Sequence, residues 1–143
     1  MEQWELVARE SIRDLVARYN AQGDSGRLDA LIELFAPDAE MVVVGTSYVG
    51  HEAIRGMFTA TVDDVRAQPA PLLRHFTATL QIDVESPDSA RSRAYYAVLM
   101  AHGLDHWGRY LDTCRVVDGA WRFARREVLL DGAIAGGWAA SRQ

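Results

Sequence analysis

Apolar residues in the first half of the chain recur at helical spacing. Between residues 3 and 21 they follow one another at intervals of three and four, which predicts a long amphipathic helix. A second apolar stripe from Leu28 to Phe35 predicts a shorter helix that Pro37 ends. A third helix is predicted from Gly50 onward, with Phe58 on its inner side. Between the second and third helices, the segment 40–44 has the composition of a short buried strand.

From His75 onward the periodicity changes to the alternation that is typical of strands. The segment 75–85 places Phe76, Leu80 and Ile82 on one face, and this parity directs His75 to the other face unless a bulge at the start of the strand turns it inward. A second long strand, a turn at LDHWG, and two further strands joined at an Asp-Gly pair follow. Because the helices come first and an antiparallel meander comes last, we expect an α+β fold.

Composition narrows the class of function. The 143-residue chain is 49% hydrophobic, which is enough for one core, and its net charge of −5 argues against a nucleic-acid or anionic-membrane surface. All 15 basic residues are arginine, so a Schiff-base lysine is excluded. The single cysteine, Cys114, permits no internal disulfide and favours a reducing compartment.

The two ends of the chain give further expectations. The stretch MEQWELVARE is acidic and amphipathic, unlike a signal peptide, and no apolar run approaches membrane-spanning length. We therefore expect a cytoplasmic protein with one domain over residues 1–131. The tail over residues 132–143 is rich in glycine and alanine, and we expect it to be mobile or to cover the mouth of a pocket.

Three side chains supply groups suited to acid–base chemistry. Tyr19 offers a phenol, Asp24 a carboxylate and His75 an imidazole that is partly neutral near pH 7. A carboxylate bonded to one ring nitrogen orients the imidazole and stabilises its cation, while a phenol donates to a carbonyl or a departing hydroxyl. Each residue also has a structural interpretation. Asp24 suits a turn or helix cap, Tyr19 suits the core, and the strand parity of His75 points it outward.

Other candidates are weaker. His102 shares strand parity with Val98 and Met100, so it is predicted to face inward, whereas His106 is predicted to lie exposed in the turn. The spacing of these two histidines aligns metal ligands only on a helix, and this segment is predicted as strand and turn, so no metal site is expected. The sequence contains no phosphate-binding loop, nucleophile elbow or CxxC motif.

Several segments together resemble the SnoaL-like branch of the NTF2-like cone fold. They are RYNAQGD, LDALIELFAPDAE, GHEAIRGMF, the isolated RHF before a strand, and GRYLDTCRVVDGAWRFARREV. The resemblance runs from about residue 8 to residue 131. It implies N-terminal helices packed on a curved antiparallel sheet. It also implies a homodimer or homotrimer, with neither a cofactor nor a nucleic-acid or membrane partner.

Within that family the pattern is most similar to scytalone dehydratase, bile-acid 7α-dehydratase and hexachlorocyclohexane dehydrochlorinase. The resemblance implies a catalytic Asp24–His75 dyad assisted by Tyr19. It also implies a cofactor-independent dehydratase or isomerase that acts on a small apolar cyclic substrate, in secondary or catabolic metabolism. A polyketide cyclase-type enzyme, or a non-catalytic subunit like the β subunit of a ring-hydroxylating dioxygenase, is the alternative. We expect five residues to contact the substrate: His102, Arg126, Met100, Val98 and Phe58.

Overall fold

A computed structural model describes residues 1–142, which form three α-helices and six β-strands. The helices are α1 (Gln3–Asp24), α2 (Leu28–Ile32) and α3 (Gly50–Arg66). The strands are β1 (Phe35–Val43), β2 (Thr46–Val49), β3 (Leu73–Ser86), β4 (Ser89–Met100), β5 (Gly103–Val117) and β6 (Ala120–Ala133). A short 3₁₀ helix over Ala139–Arg142 follows the last strand.

The strands form one mixed sheet in the order β2-β1-β6-β5-β4-β3. Strands β1 and β6 run parallel, whereas every other neighbouring pair is antiparallel. The helix α1 packs on β3 and β6, and α3 packs on β1. Helices packed against one face of a curved sheet confirm the predicted α+β cone. The predicted antiparallel meander is confirmed for β3 to β6, and the parallel contact with β1 is an addition to it.

The predicted second helix is too long. It ends at Ile32, and Phe35 already begins β1, where it pairs with Phe123 of β6. The N–H group of Phe123 also donates to the carbonyl of Leu34 over 2.9 Å. Strand pairing gives hydrogen-bond partners to backbone N–H and C=O groups that would have none at the end of a helix. The chain therefore changes from helix to strand before Pro37.

A β-bulge in β3 reverses the predicted parity of the strand. The pairing with β4 shifts between Ala78 and Gln81, and Thr79 between them has a φ of 55°. Before the bulge, His75 faces the helices and Phe76 is 58% exposed, so the outward direction that strand parity alone gives His75 is wrong. An extra residue in one strand exchanges the two faces of the strand beyond it. The alternation of apolar and polar residues therefore gives the wrong face for His75.

A second bulge lies in β5. Val98 of β4 pairs with His106, but the next residue, Leu99, pairs with Leu104, so Asp105 is the extra residue. The turn between β4 and β5 consists of Ala101 and His102, and LDHWG belongs to β5 rather than to the predicted turn. Asp105 and His106 are therefore both buried, although they are neighbours in one strand.

The C-terminal segment packs back onto the domain. The strand β6 continues to Ala133, two residues beyond the predicted domain end, and Trp138 and Ala139 then contact Asp105 of β5. The last residue of the predicted tail, Gln143, lies outside the described residues. Over residues 1–142, every helix is too short or too polar to cross a membrane.

Candidate active site

A cavity of about 310 Å³ opens between α1, α3 and the inner face of the sheet. Its volume lies at the lower end of the roughly 300–1,000 Å³ range of small-molecule sites. Most of its apolar wall comes from Met41, Val43, Met57, Phe58, Val128 and Trp138. The polar residues that line it are Tyr19, Asn20, Asp24, Ser25, Thr61, Arg66, Arg74, His75, Tyr96, His106 and Tyr110. A mainly apolar wall with a few convergent polar groups suits a small, mostly apolar ligand.

Asp24 and His75 are joined by two hydrogen bonds in this wall. The Nδ1 atom of His75 lies 2.6 Å from Oδ1 of Asp24, and the backbone N–H group of His75 donates to Oδ2 over 2.9 Å. Their side chains are 21% and 12% exposed, respectively. A carboxylate only accepts hydrogen bonds, so it fixes the proton on Nδ1 and leaves Nε2 of the neutral ring unprotonated. No described residue forms a hydrogen bond with that Nε2 atom.

A different local feature of the fold positions each residue of the Asp24–His75 pair. Asp24 is the last residue of α1, and the bulge at Thr79 turns His75 toward it across the sheet surface. The capping interpretation of Asp24 is wrong, since Arg27 precedes α2 and no side chain caps that helix. Both carboxylate oxygens of Asp24 instead bond to His75.

Tyr19 lies in the cavity wall beside this pair. Its ring makes edge-to-face contacts with Phe35, Phe58, Tyr110 and Phe123, at centroid distances from 5.8 to 6.2 Å. Burial raises the pKa of Tyr19 to about 12, although the nearby guanidinium of Arg126 acts in the opposite direction. The phenol therefore stays protonated near neutral pH and serves as a hydrogen-bond donor rather than as a base.

Arg126 lies behind the wall instead of in it. The guanidinium is fully buried, and its Nε and Nη2 atoms donate to Asp112 over 2.7 and 2.8 Å. It also lies 4.2 Å from the ring centroid of Tyr19 and 3.9 Å from that of Tyr110. Burial opposes its charge, but the adjacent Asp112 carboxylate and its hydrogen bonds together raise the pKa of Arg126. The expected substrate contact is not supported, because the rings of Tyr19 and Tyr110 cover this cation.

Three more expected substrate contacts also lie outside the cavity. Val98 and Met100 are buried in the core, but neither reaches the wall. His102 lies in the turn after β4, where strand parity no longer applies, and its Nε2 atom lies 2.8 Å from Oδ1 of Asp105. Phe58 of α3 is the one member of the expected set that lines the cavity.

His106 is the cavity histidine that the sequence did not predict. It is 9% exposed, its Nδ1 atom lies 2.7 Å from Oδ2 of Asp105, and its ring contacts that of Tyr96. Burial lowers the pKa of His106, and the Asp105 carboxylate offsets only part of this effect. The bulge that turns His106 inward has no marker in its residue types, so strand alternation alone placed it at the surface.

A polar network within the wall holds the inner tyrosines. Asn20 donates through Nδ2 to Oγ1 of Thr77 over 2.7 Å and accepts the hydroxyl of Tyr110 over 3.3 Å. The Tyr96 hydroxyl donates to the carbonyl of Leu129 over 2.9 Å, and its ring stacks on Tyr110 at 4.7 Å. Within residues 1–142, no three histidine, cysteine, aspartate or glutamate side chains are arranged to share a metal ion.

Comparison with known proteins identifies the family. The SnoaL-like domain matches residues 4–127, which is most of the chain. The chain belongs to the SnoaL-like domain family. A search of curated proteins found no match. Among solved structures, an NTF2-like protein with a cystatin-like fold from Novosphingobium aromaticivorans is 32% identical to this SnoaL-like chain. That alignment covers 96% of this chain and 88% of the other, with a TM-score of 0.77.

Two further solved structures share the fold at lower identity. A candidate scytalone dehydratase from Novosphingobium aromaticivorans is 22% identical, covers 94% of this chain and 91% of its own, and has a TM-score of 0.80. A hexachlorocyclohexane dehydrochlorinase of type 2 is 18% identical, covers 93% of each chain, and has a TM-score of 0.77. At these identities the two structures establish the fold of this SnoaL-like domain and not its reaction.

Proposed function

We propose that the protein is a cofactor-independent lyase or isomerase that removes a C–H proton from a small, mostly apolar cyclic substrate. The observation that carries the proposal is the Asp24–His75 pair, hydrogen-bonded at 2.6 Å in the wall of an apolar cavity. An imidazole held in this way presents a basic Nε2 atom, and proton transfer by such a group accelerates a reaction by roughly 10²–10⁴-fold.

The favoured reaction is a dehydration. Nε2 of His75 takes a proton from a carbon next to a carbonyl, and Asp24 stabilises the imidazolium that forms. The electron pair of the broken C–H bond becomes the new double bond as the C–O bond to a neighbouring hydroxyl breaks. The departing hydroxide takes the proton from the imidazolium and leaves as water. Tyr19, which stays protonated, donates a hydrogen bond to the carbonyl or to the leaving oxygen.

We rank elimination above isomerisation because two of the structural neighbours are named as eliminating enzymes. One is a candidate dehydratase and another a dehydrochlorinase, and both names denote the loss of HX from a carbon skeleton. The cavity also supplies an oriented base and a phenol donor in one mainly apolar wall, as such a step needs. A cyclase-type reaction would use the same groups, and the identity of the product separates it from a dehydration.

The experiment uses a panel of small cyclic ketones and β-hydroxy ketones in D₂O. Wild-type protein is expected to catalyse deuterium incorporation at the acidic carbon, or loss of water, both followed by NMR. His75→Gln is expected to lower this rate by roughly 10²–10⁴-fold, and Asp24→Asn to lower it by a smaller factor. Both effects follow because the first variant lacks the base and the second lacks the carboxylate that orients it.

Two matched substitutions serve as controls. His51→Gln retains a donor to the Phe35 carbonyl outside the cavity, and Asp29→Asn changes an exposed carboxylate five residues from Asp24. Both should react at the wild-type rate. Full turnover in His75→Gln and Asp24→Asn would overturn the assignment of the pair. Binding of panel members with neither exchange nor turnover by the wild type would overturn the enzymatic proposal and favour a ligand-binding subunit.

A further inference from the structure

The carboxylate of Asp105 is fully buried and receives four hydrogen bonds. Its Oδ1 atom lies 2.8 Å from Nε2 of His102 and accepts the backbone N–H group of Trp138 over 2.6 Å. Its Oδ2 atom lies 2.7 Å from Nδ1 of His106 and accepts the N–H group of Ala139 over 3.0 Å. Each oxygen therefore joins one histidine to one backbone group of the C-terminal segment.

The C-terminal segment, residues 134–142, is shaped around this carboxylate. The backbone carbonyl of Asp105 accepts the N–H group of Ile134 over 2.9 Å. A Cβ atom added to Gly137 would lie 2.6 Å from Oδ1 of Asp105 and 2.8 Å from the side chain of Ile134. Only a residue without a side chain fits there, so the close approach of this segment to Asp105 depends on Gly137.

The same segment forms part of the cavity wall. The Trp138 side chain lines the cavity, and its ring centroid lies 5.9 Å from that of His106. The guanidinium of Arg142 stacks on the Trp138 ring at 4.0 Å and forms an ion pair with Asp64 of α3. The segment thus reaches from β5 to α3 along one side of the cavity.

We propose that Asp105 is a positioning residue that couples docking of the C-terminal segment to the orientation of His106 in the cavity. This inference rests on the proposed function, because an oriented second histidine matters to a reaction only if the cavity hosts one. The Asp105–His106 pair lies two strands away from the Asp24–His75 pair, since His75 and His106 both pair with Val98 of β4.

The coupling follows from the shared oxygens. Undocking the segment removes a donor from each oxygen and admits water to Asp105, so the bond that fixes Nδ1 of His106 weakens. Removing His106 conversely leaves Oδ2 with one donor fewer and weakens the binding of the C-terminal segment to Asp105. Linkage makes the two effects equal in size, and we expect a factor of roughly fivefold or more in each direction.

The first arm of the test undocks the segment without altering Asp105 or His106. Gly137→Ala places a methyl group against Oδ1, whereas the control Gly56→Ala adds the same group in α3, where no atom other than the neighbouring backbone of the helix lies within 4 Å. In NMR spectra, the ring ¹⁵N signals of His106 are expected to shift toward the averaged values of a free histidine in Gly137→Ala. They are expected to stay at the wild-type values in Gly56→Ala.

The second arm runs in the opposite direction. His106→Leu, which has no side-chain donor, is expected to speed hydrogen exchange at the amides of Trp138 and Ala139 by roughly fivefold or more, as linkage requires. If Gly137→Ala does not fold, Arg142→Gln releases the outer end of the segment instead, because it removes the ion pair with Asp64 and the stacking on Trp138.

Two outcomes would overturn the proposal. One is an undocked segment with unchanged His106 ring signals, and the other is a His106→Leu variant with wild-type exchange at both amides. Neither readout needs a substrate. The coupling can therefore fail while the proposed function holds, and the proposed function can fail while the coupling holds. With a substrate available, Gly137→Ala is expected to turn over more slowly than Gly56→Ala.

Discussion

Thr79 is the residue on which the direction of His75 depends. Its φ of 55° is in the left-handed region, where a β-branched side chain is disfavoured. For L-residues this conformation costs roughly 1–2 kcal/mol. The bulge that requires it turns His75 toward Asp24, so the strain accompanies the candidate site. Strain that persists beside a site in this way is a common feature of functional regions.

Thr79→Asn is expected to stabilise the fold. Asparagine tolerates the left-handed conformation better than threonine, and the Thr79 side chain is exposed, so the free energy of unfolding should rise by about 0.5–1 kcal/mol. Urea denaturation measures the change. The control Thr113→Asn, at an exposed position of β5 outside the left-handed region, should have the opposite sign because threonine favours strands. A loss of stability at both positions would contradict the account of strain at Thr79.

Across the sheet, the buried polar residues form a ladder over three strands. Ser92 of β4, Asp112 of β5 and Arg126 of β6 pair directly in the register. Ser92 donates its hydroxyl to Asp112 over 3.1 Å, and Arg126 donates two hydrogen bonds to the same carboxylate. Removing one member of a buried ion pair leaves an uncompensated charge, which costs more than the intact pair contributes.

Asp112→Leu is accordingly expected to lower the free energy of unfolding by roughly 3–5 kcal/mol. The double variant Asp112→Leu/Arg126→Met removes both charges and should lose less than the single variant, since no buried charge is left without a partner. Urea denaturation of the two variants and of wild type gives the comparison. A double variant less stable than Asp112→Leu would show that stacking of Arg126 on Tyr19 and Tyr110 outweighs the charge effect.

At the level of elements, the sequence predicts helices better than strand faces. The spacing of Ile12, Leu15 and Val16 predicted α1 to within a few residues, since a helix pattern repeats over many turns. Strand alternation instead assumes an unbroken ladder, and a single extra residue reverses it. Thr79 and Asp105 carry no chemical marker of such an insertion. For this reason the parity of β3 and the turn before β5 were both predicted wrongly.

The predictions for the candidate site were also right for some residues and wrong for others. Asp24 and His75 were chosen through a family resemblance, and the structure brings them into contact, while their catalytic role remains a prediction. Arg126 and His102 were chosen through the same resemblance, His102 also through strand parity, and both lie outside the cavity wall. His106 was missed because its direction depends on the bulge at Asp105, and that bulge is set by pairing with β4, which the order of residue types does not reveal.

For the molecule as a whole, the outer face of the sheet is incompletely covered. Phe76, Tyr95 and Trp107 are 58%, 57% and 37% exposed, and Phe76 and Trp107 lie in one register row through Ala97. Exposed aromatic residues that cluster on one face are typical of a surface that contacts another protein. We expect a second copy of the chain to cover them, in line with the homodimer or homotrimer that the sequence predicts.

Phe76→Arg is expected to lower the molecular mass in solution, because a charge on this face opposes its burial between copies. Light scattering coupled to size-exclusion chromatography measures the mass. Leu6→Arg is the matched control, since Leu6 is 56% exposed on α1 and away from the sheet. A monomeric wild type, or an unchanged mass in Phe76→Arg, would contradict assembly through this face.

The stability of the whole domain is expected to fall as the pH is lowered, and His106 sets where the fall begins. Burial places the folded-state pKa of His106 below its ordinary 6.5, so below pH 6.5 the unfolded chain binds a proton that the folded chain does not. This contribution is fully present above pH 6.5 and is lost as the pH falls toward the folded-state pKa. The pKa of Asp105 is also lowered, since four hydrogen bonds outweigh the effect of its burial, but that loss begins only below 3.8.

Urea denaturation from about pH 7.5 to about pH 5 therefore isolates the effect of His106. Wild type is expected to lose stability across this range, and His106→Gln to lose less, because its residue 106 does not titrate. The difference between the two curves removes the contributions of His51, His75 and His102, which both proteins share. Curves that run parallel through this range would show that the buried environment of His106 does not disfavour its protonation. A difference that grows toward lower pH is the outcome that its burial beside Trp138 and Tyr96 predicts.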